Sequence, residues 1–188
     1  MLISKFDNHD VEEKMGAFEK KYHFIFPDQY REFLLKYNGG ETPKTEFKIG
    51  KINSDFTGFY GFNGDKNLDF EFYARTKTLE IYLGDRVIPV GSSVSGDTIV
   101  LGISEDNYGQ VYFIYHDRPK RYIKLANDTI EFINKCKSDA IGHVPTMKER
   151  EKTARENGYG DLIPDLMPIW EEEISKFSDI HQELIVIE

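Results

Sequence analysis

The residue types that do chemistry are present in this chain, but they are not spaced for it. Five histidines, His9, His23, His116, His143 and His181, show no HExxH or similar spacing that would bring two imidazoles to one metal ion. They read as scattered surface or packing residues. The run GSSVSGD, Gly91 to Asp97, has the glycine and serine content of a phosphate-binding loop without its GK[ST] ending, so a β-turn accounts for it. Ser92, Ser93 and Ser95 become nucleophiles only if a histidine and an acid meet them in space, and no GxSxG turn presents them. His116-Asp117 follows an apolar segment and reads as a strand end. The single cysteine, Cys136, falls on the expected inner face of a helix with Thr129, Ile130 and Ile133, which makes it a small core residue rather than a nucleophile. One cysteine also excludes an intramolecular disulfide and a multi-cysteine zinc site. The expectation is a chain without catalytic residues, metal or cofactor.

What remains is contact chemistry. Large rings supply buried contact area, and carboxylates beside them pair with the Lys and Arg of a basic partner and steer its approach. Asp55, Tyr60, Asp65, Glu105, Asp106 and Tyr108 fall in expected turns or at strand ends, and Glu171, Glu172 and Glu173 form the densest acidic run. These nine residues are the candidate partner-binding set, expected to be exposed. The net charge of −9 is unevenly placed: residues 1–138 hold 19 Lys and Arg against 21 Asp and Glu, whereas residues 139–188 hold 5 against 12. Such a balance disfavours nucleic acid and anionic membrane and favours a basic protein partner. The acidic tail is either a pair of solvated helices or a surface for that partner.

The elements that must position these residues follow from periodicity. Val11, Met15, Phe18 and Tyr22 mark one face of a first helix. Pro27, with φ preset and no N–H to lose, and Asp28 start a second. There Tyr30, Phe33, Leu34 and Tyr37 form an apolar stripe, and Asn38, Gly39 and Gly40 offer the left-handed backbone that ends it. Thr45–Ile49 and Asp55–Phe62 read as two antiparallel strands. The segment from Asn67 to Gly84 fits strand and helix alike. RVIPVG, DTIVLGI and GQVYFIY are a three-strand meander, the last strand apolar on both faces, followed by a turn at residues 116–120 and a short strand at Tyr122 and Ile123. Asp128 with Glu131 resembles a capping box opening a helix. In the tail, Thr146 and Glu149 form a second box, Asn157 and Gly158 end that helix, and another carrying Trp170, Ile174 and Phe177 starts near Pro168 before the apolar end LIVIE.

Taken in order, Phe26-Pro27, Tyr30, Phe33-Leu34, Asn38-Gly39-Gly40, FYGF (Phe59 to Phe62), IPVG (Ile88 to Gly91), Gly96-Asp97, GQVYFIYHD (Gly109 to Asp117) and the helix with Phe132 resemble the SUKH superfamily, in its Smi/Knr cell-wall-assembly-regulator branch. The resemblance runs from about residue 7 to 138, each landmark short and the series specific. It implies an α+β fold: a mainly antiparallel sheet of about five or six strands with two N-terminal helices and a C-terminal helix. To this the residues from 139 add an acidic, mostly helical extension. It also tips residues 66–80 toward helix. Bacterial members resemble immunity proteins that neutralise the toxin domain of a polymorphic or contact-dependent toxin system, often a nuclease. Fungal relatives are regulatory interaction scaffolds, which is the alternative. Neither role involves catalysis. With Lys5 and Asp7 interrupting any leader-like core and no bilayer-length apolar stretch, a cytoplasmic location is expected.

Overall fold

A computed structural model describes the whole chain except residues 65–67, 77, 119–120 and 188 and the side chain of Tyr73. In chain order the elements are β1 (Leu2–Lys5), α1 (Val11–Tyr22), α2 (Asp28–Tyr37), β2 (Gly40–Glu41), β3 (Thr45–Ile49), β4 (Ile52–Asp55), β5 (Gly58–Phe59), α3 (Phe70–Arg75), α4 (Thr78–Gly84), β6 (Val87–Ser92), β7 (Thr98–Gly102), β8 (Val111–Ile114), β9 (Tyr122–Ala126), α5 (Thr129–Lys135) and β10 (Cys136–Ser138). They are followed by α6 (Met147–Glu156), a 3-10 turn at Gly160–Leu162, α7 (Ile163–Phe177) and β11 (Glu183–Leu184). The architecture is α+β. Its described residues form two compact units, residues 1–139 with 183–188, and residues 140–182.

The first unit contains two antiparallel sheets. The larger runs β11-β1-β2-β5-β6-β7-β8-β9 and the smaller β10-β3-β4. The strands outnumber the expected five or six because short pieces at Leu2–Lys5, Gly40–Glu41 and Glu183–Leu184, too brief to show alternation, complete one edge. Thr45–Ile49 is a strand as expected, but it pairs with Ile52–Asp55, so that only Asp55 of the expected Asp55–Phe62 strand meets it, while Gly58–Phe59 joins the large sheet. The two-residue turn at Gly50–Lys51 makes the nearer pairing the local one.

Helices α1 and α2 bury the faces read from periodicity: Val11, Met15 and Phe18 on one, and Tyr30, Phe33, Leu34 and Tyr37 on the other. Pro27 occupies the N-cap position of α2, its carbonyl accepting the Arg31 N–H at 2.9 Å, and Asn38 at φ 53° ends the helix in the left-handed region. A chain of rings then ties helices to both sheets. Phe33 meets Phe59 at 4.6 Å, Phe59 meets Phe56 at 4.7 Å, Phe56 meets Phe132 at 5.5 Å, and Phe132 meets Phe47 of the smaller sheet at 5.5 Å. Each such pair adds about 0.5–1.5 kcal/mol beyond its buried area.

The ambiguous segment is helical, as α3 and α4, with Asn67 and Lys77 outside the described residues. The meander forms as expected, and β8 carries apolar residues to both faces: Val111 and Phe113 to the main core, Ile114 with Val87 and Val100 to a second cluster. The strand after it is longer than expected, Tyr122–Ala126, and Pro119 and Lys120 of the intervening turn lie outside the described residues. Asp128 accepts the Glu131 N–H at 2.7 Å, but the Glu131 carboxylate reaches back one residue further, to the Asn127 N–H at 2.6 Å, so the box is only half formed. Cys136 is buried as expected, though as the first residue of β10 and not on the helix, where Phe132 joins Thr129 and Ile133 on the inner face.

In the second unit the Thr146/Glu149 capping box is complete, and Arg150 joins Glu173 at 2.7 Å. Helix α7 starts at Ile163, five residues before the expected Pro168, because Pro164 takes the first-turn position that suits proline. Pro168 then sits one turn inside, where it forgoes a single intrahelical bond.

Candidate functional site

The turn between β7 and β8 projects acids on a fixed frame. Its scaffold is Asn107, whose Oδ1 accepts the Ser104 N–H at 3.0 Å and the Ser104 hydroxyl at 2.9 Å while its Nδ2 donates to the Arg86 carbonyl at 3.2 Å. Gly102 permits this closeness, since a Cβ there would lie 2.0 Å from the Asn107 carbonyl oxygen. Glu105 and Asp106 are exposed at the tip. Asp106 lies 3.6 Å from Arg86, both largely exposed, a geometry worth little in water. Both carboxylates therefore remain available to a partner.

Tyr108 leaves this turn toward the start of α2, with 46% of its surface exposed. Partial burial, then the Asp28 charge, raise its phenol above the ordinary value, and the Asp28 N–H donates toward its oxygen. Arg31 stands beside it, bound through one guanidinium nitrogen to both carboxylate oxygens of Glu19 at 2.5 Å. That contact, followed by the Glu19 charge and against some burial, raises the guanidinium pKa further. Glu19 also accepts the Phe26 N–H at 2.9 Å, so one carboxylate fixes α1, the linking loop and α2 together. The result is a surface of two exposed carboxylates, one of them loosely paired with Arg86, a half-exposed ring and a braced ion pair.

Of the nine sequence candidates, Glu105, Asp106 and Tyr108 are brought together here. Asp55 is not: it is half-buried and accepts the Val94 N–H at 2.7 Å in the β6–β7 turn, at the opposite end of the antiparallel meander. Tyr60 is a correction. It was expected to be exposed and is 1% exposed, because its backbone bridges the Val90 carbonyl at 2.9 Å and the Tyr30 hydroxyl at 3.2 Å, which draws the ring into the core. Asp65 lies outside the described residues. Glu171, Glu172 and Glu173 are exposed on α7 in the second unit, Glu173 in its bond with Arg150. Glu19, Asp28 and Arg31 were not recognised as site residues, because sequence spacing does not show that Glu19 and Arg31 meet across two helices.

Ser92, Ser93 and His116 make contacts that join the strand ends. Asp97 Oδ1 accepts the His116 backbone N–H at 3.0 Å and lies 2.8 Å from Nδ1 of the same residue, which ties the β6–β7 turn to the end of β8. The Ser93 hydroxyl accepts the Asp97 N–H at 3.1 Å, and that of Ser92 lies 3.0 Å from the Thr57 hydroxyl. Burial pushes the Cys136 thiol up to about 12. Among the described residues no group of three or more His, Cys, Asp and Glu could hold a metal ion, and no helix is long and apolar enough to cross a membrane.

A model of the SMI1 / KNR4 family (SUKH-1) matches residues 12–135, from the first turn of α1 to the last residue of α5. The chain belongs to that family. The matched span contains the whole β6–β9 meander, the acidic turn and the Glu19–Arg31 pair, so the surface described above is built within the SUKH-1 region. No curated protein matches the chain.

Proposed function

We propose that this SUKH-1 protein is an immunity protein that binds a cognate polymorphic or contact-dependent toxin domain in the cytoplasm and blocks it by occlusion and charge complementarity, without catalysis or cofactor. The observation that carries this reading is the rigid β7–β8 turn, which holds Glu105 and Asp106 free of strong partners beside half-exposed Tyr108. Such a patch suits a basic protein surface, a nuclease domain among them: an aromatic ring for contact area, and carboxylates that raise the encounter rate and exclude acidic competitors. The domain of residues 1–138 supplies this surface, and the extension from 139 to 188 offers acids of its own at Glu171 and Glu172.

The test is growth of cells expressing a candidate cognate toxin domain, with and without the chain. Rescue that survives in the parent and fails for Glu105→Lys/Asp106→Lys supports the reading. Absence of rescue with both proteins folded and expressed favours the regulatory-scaffold alternative.

A further inference from the structure

A depression of about 540 Å3 opens between the tip of the β3–β4 hairpin and the described residues 115–118 and 121–124, at the end of the meander away from the acidic turn. Its floor is apolar: Ile52 is buried and Ile49, Tyr115 and Ile123 are half-buried. Its rim is cationic, with Lys51, Arg118, Arg121 and Lys124 all exposed. Among the described residues Asp117 is the one acid that lines it, and Arg118 holds it at 3.7 Å while lying over the Tyr115 ring at 6.0 Å. Lys51, Arg121 and Lys124 form no ion pair with a described residue. Four cations around one depression repel one another in a chain whose net charge is −9, and packing of the floor does not require any of them.

We propose that this depression docks an acidic segment of a protein partner, with one aliphatic or aromatic side chain entering the floor and flanking carboxylates meeting the rim. The chemistry of the two parts selects that occupant. A compact anion such as phosphate would draw only on exposed rim charges, where water and salt screen it, and would gain nothing from the aliphatic floor. The cations stand on a hairpin tip, a turn and a strand, which suits carboxylates spaced along a chain. A long nucleic acid would run off this patch onto a net-negative surface. The site is independent of the acidic turn and has the opposite sign, so the protein has one surface for a basic partner and another for an acidic segment.

The experiment pans a random dodecapeptide display library over the full chain and over Lys51→Glu/Arg121→Glu/Lys124→Glu, then measures enriched peptides by fluorescence polarisation. Enriched sequences are expected to flank Leu, Ile, Phe or Tyr with Asp or Glu, and to bind the triple variant about tenfold or more weakly, as three exposed pairs imply. Lys51→Gln/Lys124→Gln, which removes charge without reversing it, should give a smaller loss in the same direction and guards against a misfolded triple variant. Equal binding by the parent and the Gln pair, enrichment of peptides without acids, or no enrichment at all would overturn the proposal. So would displacement of every enriched peptide by millimolar inorganic phosphate, which would show a simple anion site, or self-association lost in the variants, which would show that a second copy fills the depression.

Discussion

Asn38 offers the sharpest test of how the Asn38-Gly39-Gly40 helix stop builds this fold. Its side chain is fully buried at φ 53°, its Oδ1 accepts the Phe62 N–H at 2.8 Å, and its Nδ2 donates to the Phe62 and Asp7 carbonyls. Replacing it with alanine leaves two buried groups of Phe62 without partners, at about 1–3 kcal/mol each, and places a residue without a local side-chain bond in the left-handed region, at about 1 kcal/mol. The exposed Asp7 carbonyl can return to water and adds little. Asn38→Ala should therefore cost about 4 kcal/mol, allowing for water entering the gap. Asn38→Gly, which accepts the backbone angle but makes none of the bonds, should cost about 3 kcal/mol. Urea unfolding followed by far-UV circular dichroism measures both, with hydrogen exchange at the Phe62 amide as the local probe. Losses below about 1 kcal/mol for both variants, with Phe62 protection unchanged, would refute the assignment of Asn38 as the tie between α2 and the FYGF segment.

Three further outcomes follow from single side chains. The buried Cys136 thiol should resist a thiol reagent at mildly alkaline pH in the native protein and react once it is unfolded. Because its folded pKa is raised, to about 12, its contribution to stability is full below the ordinary thiol pKa and is lost as pH rises from there toward 12, which alkaline melts of Cys136→Ala against the parent would register. Glu131 has the opposite sign: contact with Lys135, then the Asn127 N–H, lowers its carboxyl to about 2. The destabilisation of Glu131→Gln measured at neutral pH should accordingly shrink as pH falls from the usual carboxylate range through about 2, and a pH-independent difference would exclude the ion pair as its source. Thr146→Ala removes the cap of α6 and should cost the second unit about 1 kcal/mol, read by Trp170 fluorescence during urea unfolding.

Helices were legible where one face had to be buried. The i, i+3, i+4, i+7 stripe of α2 is determined by three rings and one leucine, and a helix places all four on one face. Strand pairing was less legible, because period-2 alternation says which face is inward but not which neighbour completes the ladder. Hence Thr45–Ile49 was recognised while its partner Ile52–Asp55 was not. Leu2–Lys5 and Glu183–Leu184 pair across almost the full length of the chain, a contact that no local window contains. The acidic turn was visible as turn chemistry at residues 104–109. Its neighbours were not, since Glu19 and Arg31 read as ordinary charged helix positions until the packing of α1 on α2 aligns them. Tyr60 shows the converse error: an aromatic next to glycines looks like a loop residue, yet the backbone bonds on either side of it pull the ring inward.

An immunity protein acting through the β7–β8 turn must form a tight complex with its target there. Calorimetric titration of the purified chain with a toxin domain that it is proposed to neutralise should show stoichiometric, high-affinity binding. Glu105→Lys/Asp106→Lys should weaken it about a hundredfold, as like charges placed across an interface cost several kcal/mol, while circular dichroism of the variant stays that of the parent. Undiminished affinity in the variant, or no heat of binding with both proteins folded, would contradict it.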